Sequence, residues 1–212
     1  MRDSRRKLLS QNFLWNRELV GKLVDDSSIT NNDLVVEIGP GKGIITEQLL
    51  GACKKVIAVE ADENLFELLQ DRFLGNPRIT LAQEDFLKYP LPSGNYKIFS
   101  NIPFSITGEV IKRVLFSQNP PVDSYLVVQK EAAEKYMAKE GGNTMLAILF
   151  YPWFEIGIVH NFLRTDFKPT PRVESGLIRI EKRAKPLIDD SLATLYRDYV
   201  VYRFTRDKSA TS

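Results

Sequence analysis

A glycine-rich turn between an apolar strand and a helix is the feature of this sequence that most constrains its fold. Leu34–Ile38 is a short apolar run typical of a buried strand, and residues 37–43 read E-I-G-P-G-K-G. Gly39, Gly41 and Gly43 alternate in this segment, so no Cβ atom keeps a ligand from lying against the backbone. The helix that follows directs its N-terminal N–H groups at the same place. We therefore predict a ligand-binding turn after the first strand.

The spacing of these glycines separates two classes of nucleotide site. A nicotinamide dinucleotide site requires G-x-G-x-x-G, and Ile44 stands at its third glycine position here. The G-x-G-x-G spacing instead matches the nucleoside-binding loop of methyltransferases that use S-adenosyl-L-methionine. Glycines this dense carry a conformational entropy cost that disfavours a purely structural turn. We predict S-adenosyl-L-methionine as the cofactor.

Strand-like and helix-like segments alternate along the rest of the chain. The further predicted strands are 55–60, 79–83, 97–100, 124–129, 153–159 and 175–181, and the predicted helices are 44–50, 63–74, 108–116, 131–138 and 191–204. Helices between successive strands imply crossover connections and a parallel α/β sheet. Such sheets bind ligands at the carboxyl ends of their strands, so the residues that follow each strand are the candidates for a site.

Acidic residues follow the second and third strands. Glu60 ends the second strand, where a carboxylate can accept from both ribose hydroxyls of a nucleoside, and Ala61 beside it is assigned to the same site. Asp85 follows the third strand and can accept from the exocyclic amine of the cofactor's adenine, with Phe86 offering an apolar contact. Two structural interpretations stay open: Glu60 as a strand-end surface residue, and Asp85 as a turn or helix-capping residue.

The most specific signal follows the fourth strand, where residues 101–104 read N-I-P-F. Methyltransferases that act on the amino groups of nucleobases carry an [Asn/Asp/Ser]-x-Pro-aromatic motif at this point. Acceptors at Asn101 and at the carbonyl of Ile102 can hold an adenine N6 amine in line with a methyl donor. Pro103 stiffens the turn and removes a competing N–H donor, and Phe104 can stack on a flipped base.

Together these motifs resemble the rRNA adenine-N6 methyltransferases. That family includes the erythromycin-resistance (Erm) 23S rRNA enzymes and the 16S rRNA dimethyladenosine transferases. The resemblance covers roughly residues 7–183 in a single order. It rests on Q-N-F at 11–13, the loop at 37–43, Glu60, E-D-F at 84–86, N-I-P-F at 101–104, and the segments 162–164 and 167–175. The resemblance implies a Rossmann-like fold with seven strands. Members of the family normally carry a helical C-terminal domain beyond the last strand, and we expect residues 185–212 to form only a short helical appendage in its place.

The resemblance also implies roles for residues outside the glycine turn and N-I-P-F. Gln11, Asn12 and Phe13 are expected to contact the cofactor and close over it. Phe162 is expected near the target base, although a core aromatic is nearly as good an interpretation. The only histidine, His160, lies far from every motif in the sequence, and we interpret it as structural or surface-exposed.

Within the family, the details favour the Erm branch. Ile102, Phe104 and Lys42 are more typical of Erm enzymes than of the housekeeping branch. The predicted function is therefore methylation of adenine N6 in 23S rRNA, which confers resistance to macrolide, lincosamide and streptogramin B antibiotics. The alternatives are a 16S rRNA dimethyltransferase of ribosome biogenesis and a non-catalytic nucleic-acid-binding relative. DNA adenine methylation is less favoured, because that motif usually has two consecutive prolines.

The distribution of charge and the length of the chain give the remaining expectations. Basic residues concentrate in 1–17 and 164–185, which suits a polyanion such as ribosomal RNA, with Arg164, Lys168 and Arg172 contacting phosphates. We divide the chain into a basic arm (1–15), a catalytic domain (16–184) and a short C-terminal helical segment (185–212), which we expect to be truncated. A single cysteine and no apolar stretch of membrane-spanning length indicate a cytoplasmic protein without a metal site or membrane contact. We expect a monomer.

Overall fold

The structure, a computed structural model, describes residues 12–139 and 143–206. Within these ranges the strands are β1 (Phe13–Leu14), β2 (Leu34–Ile38), β3 (Lys55–Glu60), β4 (Ile79–Gln83), β5 (Lys97–Asn101), β6 (Asp123–Gln129), β7 (Phe154–Asn161), β8 (Phe167–Lys168) and β9 (Ser175–Lys182). The helices are α1 (Arg17–Asp25), α2 (Ile44–Ala52), α3 (Glu63–Arg72), α4 (Thr107–Leu115), α5 (Lys130–Glu134), α6 (Met145–Phe150) and α7 (Ala193–Arg206).

Seven strands form the central sheet, in the order β4-β3-β2-β5-β6-β9-β7. The five from β4 to β6 are parallel, and β9 runs antiparallel to both β6 and β7. The order of the chain reverses between β2 and β5, and a crevice opens at such a switch point at the carboxyl ends of the strands. The glycine turn after β2 and Asn101 at the end of β5 therefore meet there. The predicted seven-stranded α/β fold is confirmed.

Both faces of the sheet are buried along its central strands, such as β2, β5 and β6, which explains why β2 reads as a continuous apolar run. Val35 and Val36 are each 0% exposed, yet they belong to different core clusters because neighbouring side chains point to opposite faces. One cluster packs under α1 and α2, and the other packs under α4, α6 and α7.

Local capping sets where the helices begin and end. Asn16 caps α1 by accepting from the N–H groups of Glu18 and Leu19. Asp62 caps α3 in the same way, accepting from Leu65 N–H at 3.1 Å. The predicted helix 63–74 ends at Arg72, shortly before the left-handed residue Gly75 (φ 74°).

The second half of the sheet differs from the prediction of parallel strands. β9 inserts antiparallel between β6 and β7 because no crossover helix follows β7, so the chain returns beside it. The helix predicted at 131–138 is shorter, Lys130–Glu134, and the apolar run from Met145 forms α6 before β7 begins at Phe154.

The segment at the start of the described residues pairs with the connection between β7 and β9. β1 and β8 form a two-stranded antiparallel sheet in which Phe13 pairs with Lys168 and Leu14 with Phe167. Trp15 Nε1 donates to the carbonyl of Thr165 at 2.8 Å. The Nζ of Lys168 lies 4.0 Å from the centroid of the Trp15 ring. We call residues 13–15 with 165–168 the N-terminal clasp, which was not predicted from the sequence.

The C-terminal helix packs on the body of the fold. Tyr196 donates its hydroxyl to the carbonyl of Ile148 in α6 at 2.7 Å, and Val200 is 3% exposed. The helix predicted at 191–204 forms as Ala193–Arg206 after a 3-10 turn at Asp190–Leu192. In residues 12–139 and 143–206, no helix has the length and apolar character needed to cross a bilayer.

Candidate functional site

The glycine turn adopts a backbone that side chains disfavour. Gly39, Gly41 and Gly43 have φ values of 61°, 58° and 78°, all in the left-handed region. Gly39 N–H donates to the carbonyl of Val59, which ties the turn to the end of β3. Gly43 is the N-cap of α2, so the first N–H groups of that helix open toward the crevice. The three glycines are therefore required by the backbone itself.

Glu60 links this turn to the start of α3. Its side chain is buried, with Oε2 accepting from Gly41 N–H at 3.1 Å and Oε1 accepting from Asp62 N–H at 3.0 Å. Burial raises the pKa of Glu60, while these N–H donors oppose the shift. The carboxylate thus lies against the glycine turn, where a ribose would be bound. Its contact with ribose stays a prediction, and Ala61 next to it is exposed.

Glu37 is a buried carboxyl group with no role predicted from the sequence. It is 1% exposed, and Thr46 donates its hydroxyl to Glu37 Oε2 at 2.6 Å. Burial raises the pKa of Glu37 to about 8, and the nearby charge of Glu60 adds to the shift. Glu37 is the penultimate residue of the apolar strand β2, and that position could have indicated from the sequence that its carboxyl group is buried.

Replacing Glu37 with glutamine is expected to flatten the pH dependence of stability. In the folded protein Glu37 keeps a proton that the same group releases in the unfolded chain above its ordinary pKa of 4.5. The free energy of unfolding therefore falls as the pH rises from about 4.5 to about 8. Glutamine does not titrate, so E37Q should lose less of this free energy than the wild type. Urea denaturation at about pH 5 and about pH 9 measures the difference. Identical pH dependence in both proteins would contradict the expectation.

Asn101 lies at the end of β5, beside the glycine turn. Its Nδ2 donates to the main-chain carbonyl of Asn12 at 2.7 Å. The preceding residue, Ser100, accepts with its hydroxyl oxygen from Ile38 N–H at 2.7 Å and so joins the carboxyl ends of β2 and β5. These bonds bring the N-terminal segment, the glycine turn and the N-I-P-F motif to one place.

One cavity joins these three segments. Its lining comprises residues of the N-terminal segment, the glycine turn with the start of α2, and the N-I-P-F motif: Asn12, Phe13, Leu14, Gly39, Pro40, Lys42, Ile44, Ile45, Asn101, Ile102, Pro103 and Phe104. Seven of the fifteen predicted site residues therefore share a single crevice: Asn12, Phe13, Gly39 and the four residues of N-I-P-F. Gln11 lies outside the described residues.

Seven predicted site residues are not part of that lining: Gly41, Gly43, Glu60 and Ala61, described above, and three others, Asp85, Phe86 and Phe162. Asp85 Oδ1 accepts from Leu87 N–H at 2.9 Å, which is the turn role left open from the sequence. Phe86 is 3% exposed in the core, with the guanidinium of Arg113 5.5 Å from its ring centroid. Phe162 is 7% exposed. Burial of the two phenylalanine rings favours packing roles, and the contacts expected of all three residues stay predictions.

The aromatic surroundings of Phe162 explain its burial. Its ring centroid lies 4.8 Å from that of His160 and 5.3 Å from that of Phe167, in edge-to-face geometry. His160 thus packs edge-to-face against Phe162, which agrees with the structural role interpreted from the sequence. Phe167 is the β8 residue that pairs with Leu14, so this cluster also supports the N-terminal clasp.

The fold and the crevice together define a class of protein. The sheet order with its antiparallel β9, the three left-handed glycines after β2 and an Asn-x-Pro-Phe turn after β5 are the features of Rossmann-like methyltransferases. Use of S-adenosylmethionine is a property of that class.

Comparison with known proteins gives the family within this class. The model of the family described as ribosomal RNA adenine dimethylase matches residues 2–210. The chain belongs to this family, whose members are enzymes that methylate adenine in ribosomal RNA.

Relatives from both branches are similar to the chain. An rRNA adenine N-6-methyltransferase of Saccharopolyspora erythraea is 30% identical over 205 residues, covering 96% of this chain and 53% of the relative. The ribosomal RNA small subunit methyltransferase A of Mycoplasmopsis pulmonis is 30% identical over 203 residues, covering 94% and 79%. The mycinamicin-resistance protein MyrB of Micromonospora griseorubida is 35% identical over 192 residues, covering 91% and 60%. The chain thus spans between about half and four fifths of these relatives' lengths.

Two solved structures are also similar to the chain. The 23S rRNA methyltransferase ErmE superposes with a TM-score of 0.84 at 29% identity, covering 92% of this chain and 79% of that one. A dimethyladenosine transferase from Plasmodium falciparum superposes with a TM-score of 0.73 at 27% identity, covering 81% and 63%.

Proposed function

We propose that the protein transfers methyl groups from S-adenosylmethionine to N6 of an adenine in 23S rRNA, giving resistance to macrolide, lincosamide and streptogramin B antibiotics. The observation that carries the proposal is Asn101, which lines the same crevice as the glycine turn and is fixed by the Asn12 carbonyl at 2.7 Å. That crevice joins a nucleoside-type turn to acceptors suited to an exocyclic amine.

The residues of the crevice account for the chemistry. The N6 amine is a poor nucleophile because its lone pair is delocalised into the purine ring. Acceptors at Asn101 and at the Ile102 carbonyl hold its two hydrogens and favour a pyramidal nitrogen, which stabilises the transition state more than the ground state. When bound, the cofactor supplies an electrophilic methyl on a sulfonium, whose sulfur keeps the bonding electron pair as the carbon–nitrogen bond forms. The nitrogen then loses a proton, which needs no positioned base.

The other predicted residues complete the proposed site. The turn containing Gly39, Gly41 and Gly43 would lie against the nucleoside, with Glu60 accepting from the ribose and Asp85 from the adenine. Phe104, which lines the crevice, would stack on the target base. Gln11, Asn12 and Phe13 would cover the cofactor from the N-terminal side.

Assignment to 23S rRNA rests on details of this crevice. Lys42 and Phe104, both typical of Erm enzymes, line it, and ErmE and MyrB are among the similar proteins. Methylation of the 16S rRNA is the second candidate, because small-subunit methyltransferases are similar at the same level of identity. The intact N-I-P-F motif argues against a binding protein that has lost catalysis.

Separate methylation assays distinguish the two substrates. The protein is incubated with labelled S-adenosylmethionine and either deproteinised 23S rRNA or small-subunit particles, and the modified base is mapped by primer extension. We expect modification of one adenine in the peptidyl-transferase region of naked 23S rRNA. Modification confined to small-subunit particles would contradict the 23S proposal and support the 16S one.

We propose that RNA binds to the basic segment 164–172, which overlaps the clasp. Arg164 Nε donates to the Pro171 carbonyl at 2.7 Å, whereas Arg172 and Lys168 are exposed. We expect Arg172→Glu to weaken rRNA binding about 10-fold at low salt, with a shallower dependence on salt concentration. Lys54→Glu, an exposed charge reversal next to the amino end of β3, is the matched control and should leave affinity unchanged. Filter binding across a salt series measures the rRNA affinity of both variants. Equal losses of affinity in Arg172→Glu and Lys54→Glu would contradict an RNA-binding surface localised to the basic segment.

The domain limits, the monomeric state and the cytoplasmic location are also part of the proposal. The arm (1–15) and catalytic domain (16–184) would contain all the residues assigned above, and 185–212 would contribute packing through α7.

A further inference from the structure

The side-chain amide of Asn101 has an orientation fixed by its partner. A main-chain carbonyl only accepts hydrogen bonds, so the group of Asn101 that faces the Asn12 carbonyl must be the Nδ2 donor. Oδ1 therefore points the other way, and none of the hydrogen bonds found in the described residues uses it. This is the orientation needed to accept a hydrogen from an amine in the crevice. Rotating the amide by 180° would present donors to the amine instead.

The position of the Asn12 carbonyl depends in turn on the N-terminal clasp. Asn12 immediately precedes β1, which has two residue pairs with β8. With so short a strand, side-chain contacts contribute much of the attachment. The contacts of Trp15 are its N–H bond to the Thr165 carbonyl at 2.8 Å and the Lys168 ammonium 4.0 Å from its ring centroid. Leu14 is also buried, at 4% exposed.

We propose that Asn12 is a positioning residue for catalysis, whose main-chain carbonyl holds the amide of Asn101 with its oxygen toward the substrate amine, and that Trp15 sustains this by docking the clasp. The inference rests on the proposed function, since it assigns Oδ1 to the target N6 amine. The clasp thus connects the segment 165–168, which overlaps the proposed RNA surface, to the orientation of the Asn101 amide in the crevice.

A double-mutant cycle tests the coupling. Trp15→Phe keeps an aromatic ring for Lys168 but removes the N–H donor, and we expect the single-turnover methylation rate at saturating cofactor to fall about 3- to 10-fold. In Asn101→Asp both side-chain oxygens are acceptors, so the group has no hydrogen bond to the Asn12 carbonyl and either orientation presents an acceptor to the amine. Adding Trp15→Phe to Asn101→Asp should therefore change the rate less than about 2-fold. Equal losses in the two backgrounds would overturn the proposal.

Tyr202→Phe is the matched control. Tyr202 is 48% exposed beside the Arg206 guanidinium, 4.8 Å from its ring centroid, and Trp15 is 49% exposed beside Lys168. Loss of this hydroxyl should not change the methylation rate, because α7 lies outside the crevice lining.

A measurement that does not require turnover separates this inference from the proposed function. Hydrogen exchange of the Asn101 side-chain amide, assigned by its absence in Asn101→Asp, should be slow in the wild type and at least about 10-fold faster in Trp15→Phe. Exchange that is unchanged by Trp15→Phe would overturn the positioning role. A wild type that shows this protection but transfers no methyl group to RNA would contradict the proposed function and leave the amide orientation supported.

Discussion

Replacing Asn101 with alanine is expected to lower the methylation rate by about 10²- to 10³-fold with little change in cofactor affinity. The substitution removes an acceptor that is most valuable as the amine becomes pyramidal, and losing one preorganised hydrogen bond of this kind typically costs that much. The Nδ2 bond to the Asn12 carbonyl is lost at the same time, but the strand and the glycine turn remain. Single-turnover kinetics at saturating cofactor, with calorimetry of cofactor binding, measure the two effects separately.

Asn119→Ala is the matched control for this substitution. Asn119 also donates from Nδ2 to main-chain carbonyls, at 2.7 Å to Pro92 and 3.0 Å to Gly94, but it is not part of the crevice lining. We expect it to reduce thermal stability while leaving the methylation rate near that of the wild type. A rate in Asn101→Ala close to that of Asn119→Ala would rule out the catalytic role of Asn101 and favour a binding function.

Replacing Gly41 with alanine is expected to weaken cofactor binding by at least about 10-fold and to destabilise the fold by about 1–2 kcal/mol. The φ of 58° is unfavourable for any residue with a Cβ atom, and the added Cβ would lie 2.6 Å from Cε1 of Phe13. Either the turn or the ring must move, and both line the proposed cofactor site. Isothermal calorimetry and thermal denaturation measure the two effects.

Gly51→Ala provides the contrast within the next helix. Gly51 lies in α2, and a Cβ there would meet no atom within 4 Å. Alanine should stabilise this position by about 0.5–1 kcal/mol without altering cofactor affinity. Wild-type affinity in Gly41→Ala would contradict the assignment of the glycine turn to the cofactor.

The first half of the sheet could be predicted from the sequence because β2 and β3 are largely buried apolar runs, whereas the edge strand β4 is only partly buried. β2, β3 and β4 have the predicted limits, and each is bounded by glycine, a cap or a turn. The antiparallel position of β9 could not be predicted, because sheet order depends on which edges meet and no local pattern encodes it. The two-residue strands β1 and β8 are too short to show any period, so the clasp was also missed.

The candidate site shows the same division between local and long-range information. The left-handed backbone of Gly39, Gly41 and Gly43 follows from residue type, since glycine adopts it at little cost. The burial of Phe86 and Phe162 depends on partners distant in sequence, such as Arg113 and Phe167. For the same reason, the bond between Asn101 and Asn12, which are 89 residues apart, has no signature in the sequence.

The most direct test of the central claim is the identity of the methylated nucleoside. Ribosomal RNA is incubated with the protein and S-adenosylmethionine labelled in its methyl carbon, digested to nucleosides and analysed by mass spectrometry. The account predicts label in N6-methyladenosine or N6,N6-dimethyladenosine, and its loss with Asn101→Ala. Label in a cytosine, a ribose 2′-hydroxyl or another ring position of adenine, or no label in RNA despite cofactor binding, would contradict it.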